Sequence, residues 1–152
     1  ITIKADVSDY SSQPDPNFIF KAELEKINLR SNEEIKIIGK TKSDAYVYLF
    51  SLDDNNDELV KIFPNDHDKN NKIKGKFQIP RIQAQNKYGL NAIFPANIDK
   101  EFIPEYMVII ASKIEMEFFD IEKKTALYRR LNDYKRENWT MERLGYVIFK
   151  DE

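Results

Sequence analysis

Three short apolar runs in the middle of this chain each stop at a proline. ELVKIFP ends at Pro64, IKGKFQIP at Pro80 and YGLNAIFP at Pro95. Proline has no amide hydrogen to give to a ladder, so it belongs at strand ends and not inside a central strand. Runs this short, rich in β-branched and aromatic residues, read as strands of one many-stranded sheet.

The rest of the chain extends that pattern. YVYLFSLD (46–53) is the clearest strand: Tyr46, Tyr48 and Phe50 point one way, Val47, Leu49 and Leu52 largely the other. Apolar residues on both faces place it centrally, covered on both sides. Further strands are expected at 18–26, 35–42, 45–52, 58–63, 73–79, 88–94, 105–112 and 142–149, and ITIKADV (1–7) alternates as a strand before a turn-rich linker to residue 17. FIFKAELEKINL (18–29) fits two readings, period two at Phe18, Phe20, Ala22 and Leu24 or a helical stripe at Phe20, Leu24 and Ile27, and its β-rich surroundings favour a strand through Lys26. DIEKKTALYRRLNDYKREN (120–138) has clear helical spacing, with Leu127, Leu131 and Tyr134 on one stripe. Asp120 is the expected N-cap, Arg129 and Asp133 an expected pair, and Arg130 is expected to face water. The expected fold is mainly β: an antiparallel β-sandwich or half-open barrel with one C-terminal helix and a final strand. Residues 1–17 form a strand and linker, and 18–152 a single β-rich domain with its helix near 120–138.

Composition removes several function classes. The net charge is −2 and the signs are mixed, which gives no footprint for nucleic acid. No apolar run approaches the length that crosses a bilayer as a helix. Cysteine is absent, so there is no disulfide, thiolate nucleophile or cysteine-ligated zinc. The first residue is Ile and not Met, which reads as a trimmed or excised segment.

Two polar stretches invite a metal reading. In DDNNDE (53–58), Asp53, Asn55 and Asp57 fit the first three positions of a calcium loop. Position six is Glu58 where glycine is needed, and position twelve is Pro64 where a glutamate is needed. The stretch reads as a hairpin turn. His67 lies between Asp66 and Asp68, but no second histidine exists to complete a two-histidine site or to serve elsewhere as a base. There is no G-x-S-x-G elbow and no glycine-rich phosphate loop. No catalytic residue, metal ligand or cofactor site is assigned, and an enzyme is not expected. The aromatics Tyr46, Tyr48, Phe50, Phe63, Tyr88 and Phe94 could make a ligand platform, but alternation within strands favours the core. Trp139 reads as a packing anchor with its N–H bonded at the edge. Tyr46, Tyr48, Tyr88 and Trp139 remain the candidates for a partner or ligand surface.

The order AYVYLFSLD, polar turn, LVKIFPN, polar loop, IKGKFQIP, YGLNAIFP and EYMVIIAS resembles the bacterial family of domains of unknown function number 4384. The matching positions are Tyr46 to Asp53, Ile62 to Asn65, Gly75 to Pro80 and Val108 to Ser112, over about residues 20–115. The family's usual glycine in the first hairpin turn is replaced here by the Asp-Asp-Asn-Asn-Asp run. Its usual glycine before the late strand is replaced by DKEFIPEY. The resemblance implies a module attached to other bacterial domains, often in exported or envelope proteins, with no shared activity. The expected function is therefore a non-catalytic binding or scaffold module of a bacterial envelope-associated or secreted protein, in a periplasmic or extracytoplasmic setting, with cytoplasmic residence as the other option. The expected partner is a protein or an attached domain of a larger assembly. A glycan or small-molecule binding module using exposed aromatics is the alternative.

Overall fold

The computed structural model describes residues 13–53 and 56–151, so the expected strand at 1–7 lies outside the described residues. Among these residues seven strands and one α-helix follow in chain order: β1 (Phe20–Leu24), β2 (Asn28–Arg30), β3 (Ile37–Asp53), β4 (Glu58–Phe63), β5 (Lys72–Ile79), β6 (Phe102–Ser112), α1 (Lys124–Leu131) and β7 (Trp139–Phe149). They form one curled sheet, a half-barrel ordered β1-β3-β6-β7-β2, with β4 and β5 on the other edge of β3.

β3 organises the sheet. The two strands expected at 35–42 and 45–52 are one strand of 17 residues. Its first half pairs with β1 on one side and β5 on the other; its second half pairs with β6 and β4. The strand stays continuous because the change of partners is absorbed by a register shift against β5 between Thr41 and Ala45. Gly75, opposite Thr41, takes the left-handed φ of +81° that other residues rarely adopt.

The central strand is covered on both faces, as its alternation requires. Val47 and Leu49 belong to an inner core with Phe63, Ile79, Ile109 and Leu144. Tyr48 and Phe50 belong to an outer core with Val108, Ile110 and Phe118, closed by Leu127 and Leu131 of α1. Leu52 joins this outer core and not the Val47 side where it was expected, because two-residue spacing carries it onto the face of Phe50. Phe118 meets Tyr48 and Phe50 edge-on at ring distances of 4.9 and 5.2 Å.

Several expectations are corrected. The sheet is mixed and not purely antiparallel, because β2 runs parallel to β7; three residues are too few to carry a readable pattern. The run 88–94 forms no strand: its backbone bonds to the 32–35 turn, with the Ile35 amide on the Leu90 carbonyl (2.6 Å) and the Ala92 amide on Glu33 (2.8 Å). The helix spans Lys124–Leu131 and not 120–138, with a 3-10 turn at Arg136–Asn138 before β7. Its N-cap residue is Lys123; Asp120 has a φ of +62°, outside the helical region. Asp133 lies 3.9 Å from Arg130 and not on Arg129, and Arg130 also donates to the Glu117 carbonyl.

Candidate functional site

The four aromatic candidates do not form one surface. Tyr48 is buried at 4% exposure; its hydroxyl accepts the Met116 amide (2.8 Å) and donates to the Met116 carbonyl (3.2 Å). Trp139 is also buried, beneath the Arg136 guanidinium at 4.0 Å. Its indole N–H has no hydrogen-bond partner among the described residues, where an edge bond was expected. Tyr88 is half-buried and donates to the buried Asp68 carboxylate (2.7 Å), which also accepts the Arg81 amide (3.0 Å). Burial and the Asp68 charge push the Tyr88 hydroxyl far up. Tyr46 is half-buried, with the Lys72 ammonium 5.6 Å from its ring centre. Tyr46, Tyr48 and Trp139 serve the outer core, where strand alternation turns them, and Tyr88 serves a local bond to Asp68.

The acidic turn has a structural task. The Asp57 carboxylate accepts the Thr125 amide (3.0 Å) and hydroxyl (2.9 Å), and the Asp57 carbonyl accepts the Lys124 amide. It caps the first turn of α1 from a distant point in the sequence, where the local cap residue offers no side-chain bond. The Thr125 hydroxyl and amide, then Lys123 and Lys124, hold its carboxyl below the usual range. His67 is exposed, and no group of three or more His, Asp or Glu side chains converges for a metal among the described residues.

Among the grooves on the described surface, two join apolar contacts to clustered titratable groups. The first, about 760 Å³, lies over β1, β3 and β5. Ala22, Gly39 and Phe77 line it from β1, β3 and β5, but the Phe77 ring turns to the inner core, on the other face of the sheet from Lys40 and Lys76, where a Cβ on Gly39 would stand 2.4 Å from Phe77 Cζ and 2.7 Å from the Lys21 carbonyl oxygen. Phe77 in turn stacks on Phe20 at 5.8 Å. Ile38 adds a half-buried apolar wall, and Ile82 projects into solvent at 68% exposure. The rim is charged: Lys21, Lys40 and Lys76, with Glu23 and Glu142. Burial raises the Glu142 carboxyl, while the Ala22 amide and the Lys21 charge draw it down, so Glu142 of β7 reaches across to the free edge of β1. Sequence reading missed this groove because its members are scattered over three strands; the β5 and β3 lysine alternation was the signal available.

The second groove, about 920 Å³, runs along β7 and the end of β6. Here Glu105 faces Tyr146 in register on the neighbouring strand, and Asp53 lies close by. Burial and then Asp53 raise the Glu105 carboxyl; burial and then Glu105 push the Tyr146 hydroxyl up to about 12. On the opposite face, the Arg143 guanidinium stacks on the Tyr106 ring at 3.6 Å. Among the described residues no helix is long and apolar enough to cross a membrane.

Comparison with known proteins adds one finding. The family model described as "Domain of unknown function (DUF4384)" matches residues 28–115, more than half of the chain. No curated protein and no solved structure matches.

Proposed function

The chain belongs to the DUF4384 family of domains of unknown function, and from that premise we propose that it is a non-catalytic binding module, a part of a bacterial envelope-associated or secreted protein. The observation that carries the binding reading is the first groove. It is preformed by paired strands, offers an apolar contact at Ile38 and Ile82, and is rimmed by charges that can orient a partner. Its size falls within the range of about 300–1,000 Å³ typical of ligand pockets. The envelope setting rests on the family resemblance alone. The glycan alternative needs an exposed aromatic row, and Tyr48 and Trp139 are buried.

Selection of a displayed random-peptide library on the folded protein tests the binding reading. Enriched peptides are expected to bind the parent and to lose affinity tenfold or more with Ile82→Asp. Ile93→Asp, a substitution of an isoleucine equally exposed outside the groove, should leave them unaffected. Melting temperatures of both variants should match the parent. Failure to enrich any peptide, or equal binding by Ile82→Asp, would overturn the reading. Fractionation of the full gene product in its host tests the setting; recovery in the cytosol alone removes it.

A further inference from the structure

The overall charge of −2 hides a local excess of the opposite sign. The strand registers put Lys40 opposite Lys21 on one side and opposite Lys76 on the other. Three ammonium groups therefore start from one row across β1, β3 and β5. With strands about 4.8 Å apart, the row is about 10 Å long. Lys42 and Lys74 follow at two-residue spacing on the same strands, and all five lysines are exposed. Among the described residues, Lys40, Lys42, Lys74 and Lys76 have no carboxylate within ion-pair distance. Like charges placed directly opposite each other on a sheet destabilise it. An anion bridging the row would remove that repulsion.

The neighbouring row narrows the partner. Glu23, Ile38 and Gln78 lie side by side next to the lysines, with Ile82 beyond. The groove thus offers cations, an apolar contact and an amide within one strand spacing. We infer that this groove takes an acidic peptide segment of a partner protein, with carboxylates on the Lys21–Lys40–Lys76 row and an apolar side chain against Ile38 and Ile82. Side chains at alternate positions of an extended peptide are about 6.8 Å apart, so two carboxylates fit within the row. A lipid surface is a poorer match, because Ile82 is the single exposed large apolar side chain that the groove offers for insertion. A nucleic-acid strand is poorer too, because the one ring lining the groove, Phe77, is buried and offers no stacking face.

This inference rests on the binding-module reading, and one experiment separates the two. Fluorescence anisotropy compares a labelled 12-residue peptide alternating Asp or Glu with Leu, the same peptide with Asn and Gln for the acids, anionic phosphatidylglycerol vesicles and a short DNA duplex. The acidic peptide is expected to bind at least tenfold more tightly than its amide version. It should weaken tenfold or more between 50 and 500 mM salt, as exposed charges are screened. Lys40→Gln with Lys76→Gln should abolish the preference without lowering the melting temperature, while Lys69→Gln, in an exposed loop, leaves it intact. Equal binding of the amide peptide overturns the acidic specificity and leaves the groove as a peptide site. No binding by either peptide overturns both readings. Tighter lysine-dependent binding of vesicles or duplex overturns the peptide in favour of that partner.

Discussion

Tyr48→Phe removes one oxygen atom and tests how the outer core is held. The hydroxyl accepts the Met116 amide at 2.8 Å and donates to the Met116 carbonyl at 3.2 Å, beneath a side chain that is 4% exposed. The ring would keep its edge contact with Phe118. Each hydrogen bond is worth about 0.5–1.5 kcal/mol net, so the pair contributes about 1–3 kcal/mol. The substitution also leaves the amide and carbonyl of Met116 unsatisfied in a dry site, which places the expected cost toward the upper end. For a domain of this size, about 2 kcal/mol corresponds to a melting shift of about 4–8 °C. Urea unfolding should show a lower midpoint with an unchanged slope. Tyr134→Phe is the matched control: its hydroxyl accepts the Glu117 amide at 3.0 Å in an exposed setting, where water replaces the bond, and the expected loss is within about 0.5 kcal/mol. If the two variants lose the same stability, the Tyr48 pair is not what anchors residues 113–118 to the sheet, and the reasoning fails.

Three further expectations follow from the packing and the charges. Leu127→Ala, at a fully buried position of α1, should cost about 2–5 kcal/mol, and Arg129→Ala, on the exposed face, no more than about 0.5 kcal/mol; equal losses in chemical denaturation would contradict the docking of the helix. Gly39→Ala should lose about 1–3 kcal/mol by overpacking and displace the Phe77 ring, read as a change in its aromatic NMR shifts; an unchanged ring and stability would refute the contact. Asp57 and Glu105 should respond to pH with opposite signs. Asp57 is held low, so its contribution is present above the ordinary carboxylate value and lost as pH falls through its depressed one; the penalty of Asp57→Ala should be largest at neutral pH and shrink in acid. Glu105 is held high, so the native state favours its neutral form below the ordinary value of 4.5 and loses that advantage as pH rises through the raised one; Glu105→Gln should raise the melting temperature at pH 7 and change it little in acid.

Sheet content was legible where residues alternate over six positions or more. Lys72–Ile79 follows the period-two pattern closely, and the core of β6 was legible instead as an unbroken apolar run, buried on both faces from Met107 to Ser112. Leu127 and Leu131 were legible as the docking stripe of α1 because helical spacing puts them on one face. The helix ends were not, since its cap comes from Asp57, nearly seventy positions earlier. Leu90 and Ala92 alternate as a strand would, but spend their carbonyls and amides on a neighbouring turn. The aromatic candidates failed as a surface because an alternating ring tells that a face is apolar, not that it is open. The lysine row was hidden for a related reason: alternation placed each lysine outward, but only the registers of β1 and β5 against β3 bring three of them together.

The parallel pairing of β2 with β7 joins residues near 28 to residues near 147. A ribosome delivers these segments far apart in time, at about 5–20 residues per second. During that interval β6 has its β3 partner but waits for the eleven residues that will cover its other edge. A bare strand of that length, with Met107, Val108, Ile109 and Ile110 in sequence, is a template for pairing with another nascent chain. The half-barrel therefore places its greatest exposure to aggregation during synthesis, before β7 has left the ribosome, and variants that slow the docking of β7 should reduce yield more than they reduce the stability of the molecules that finish folding.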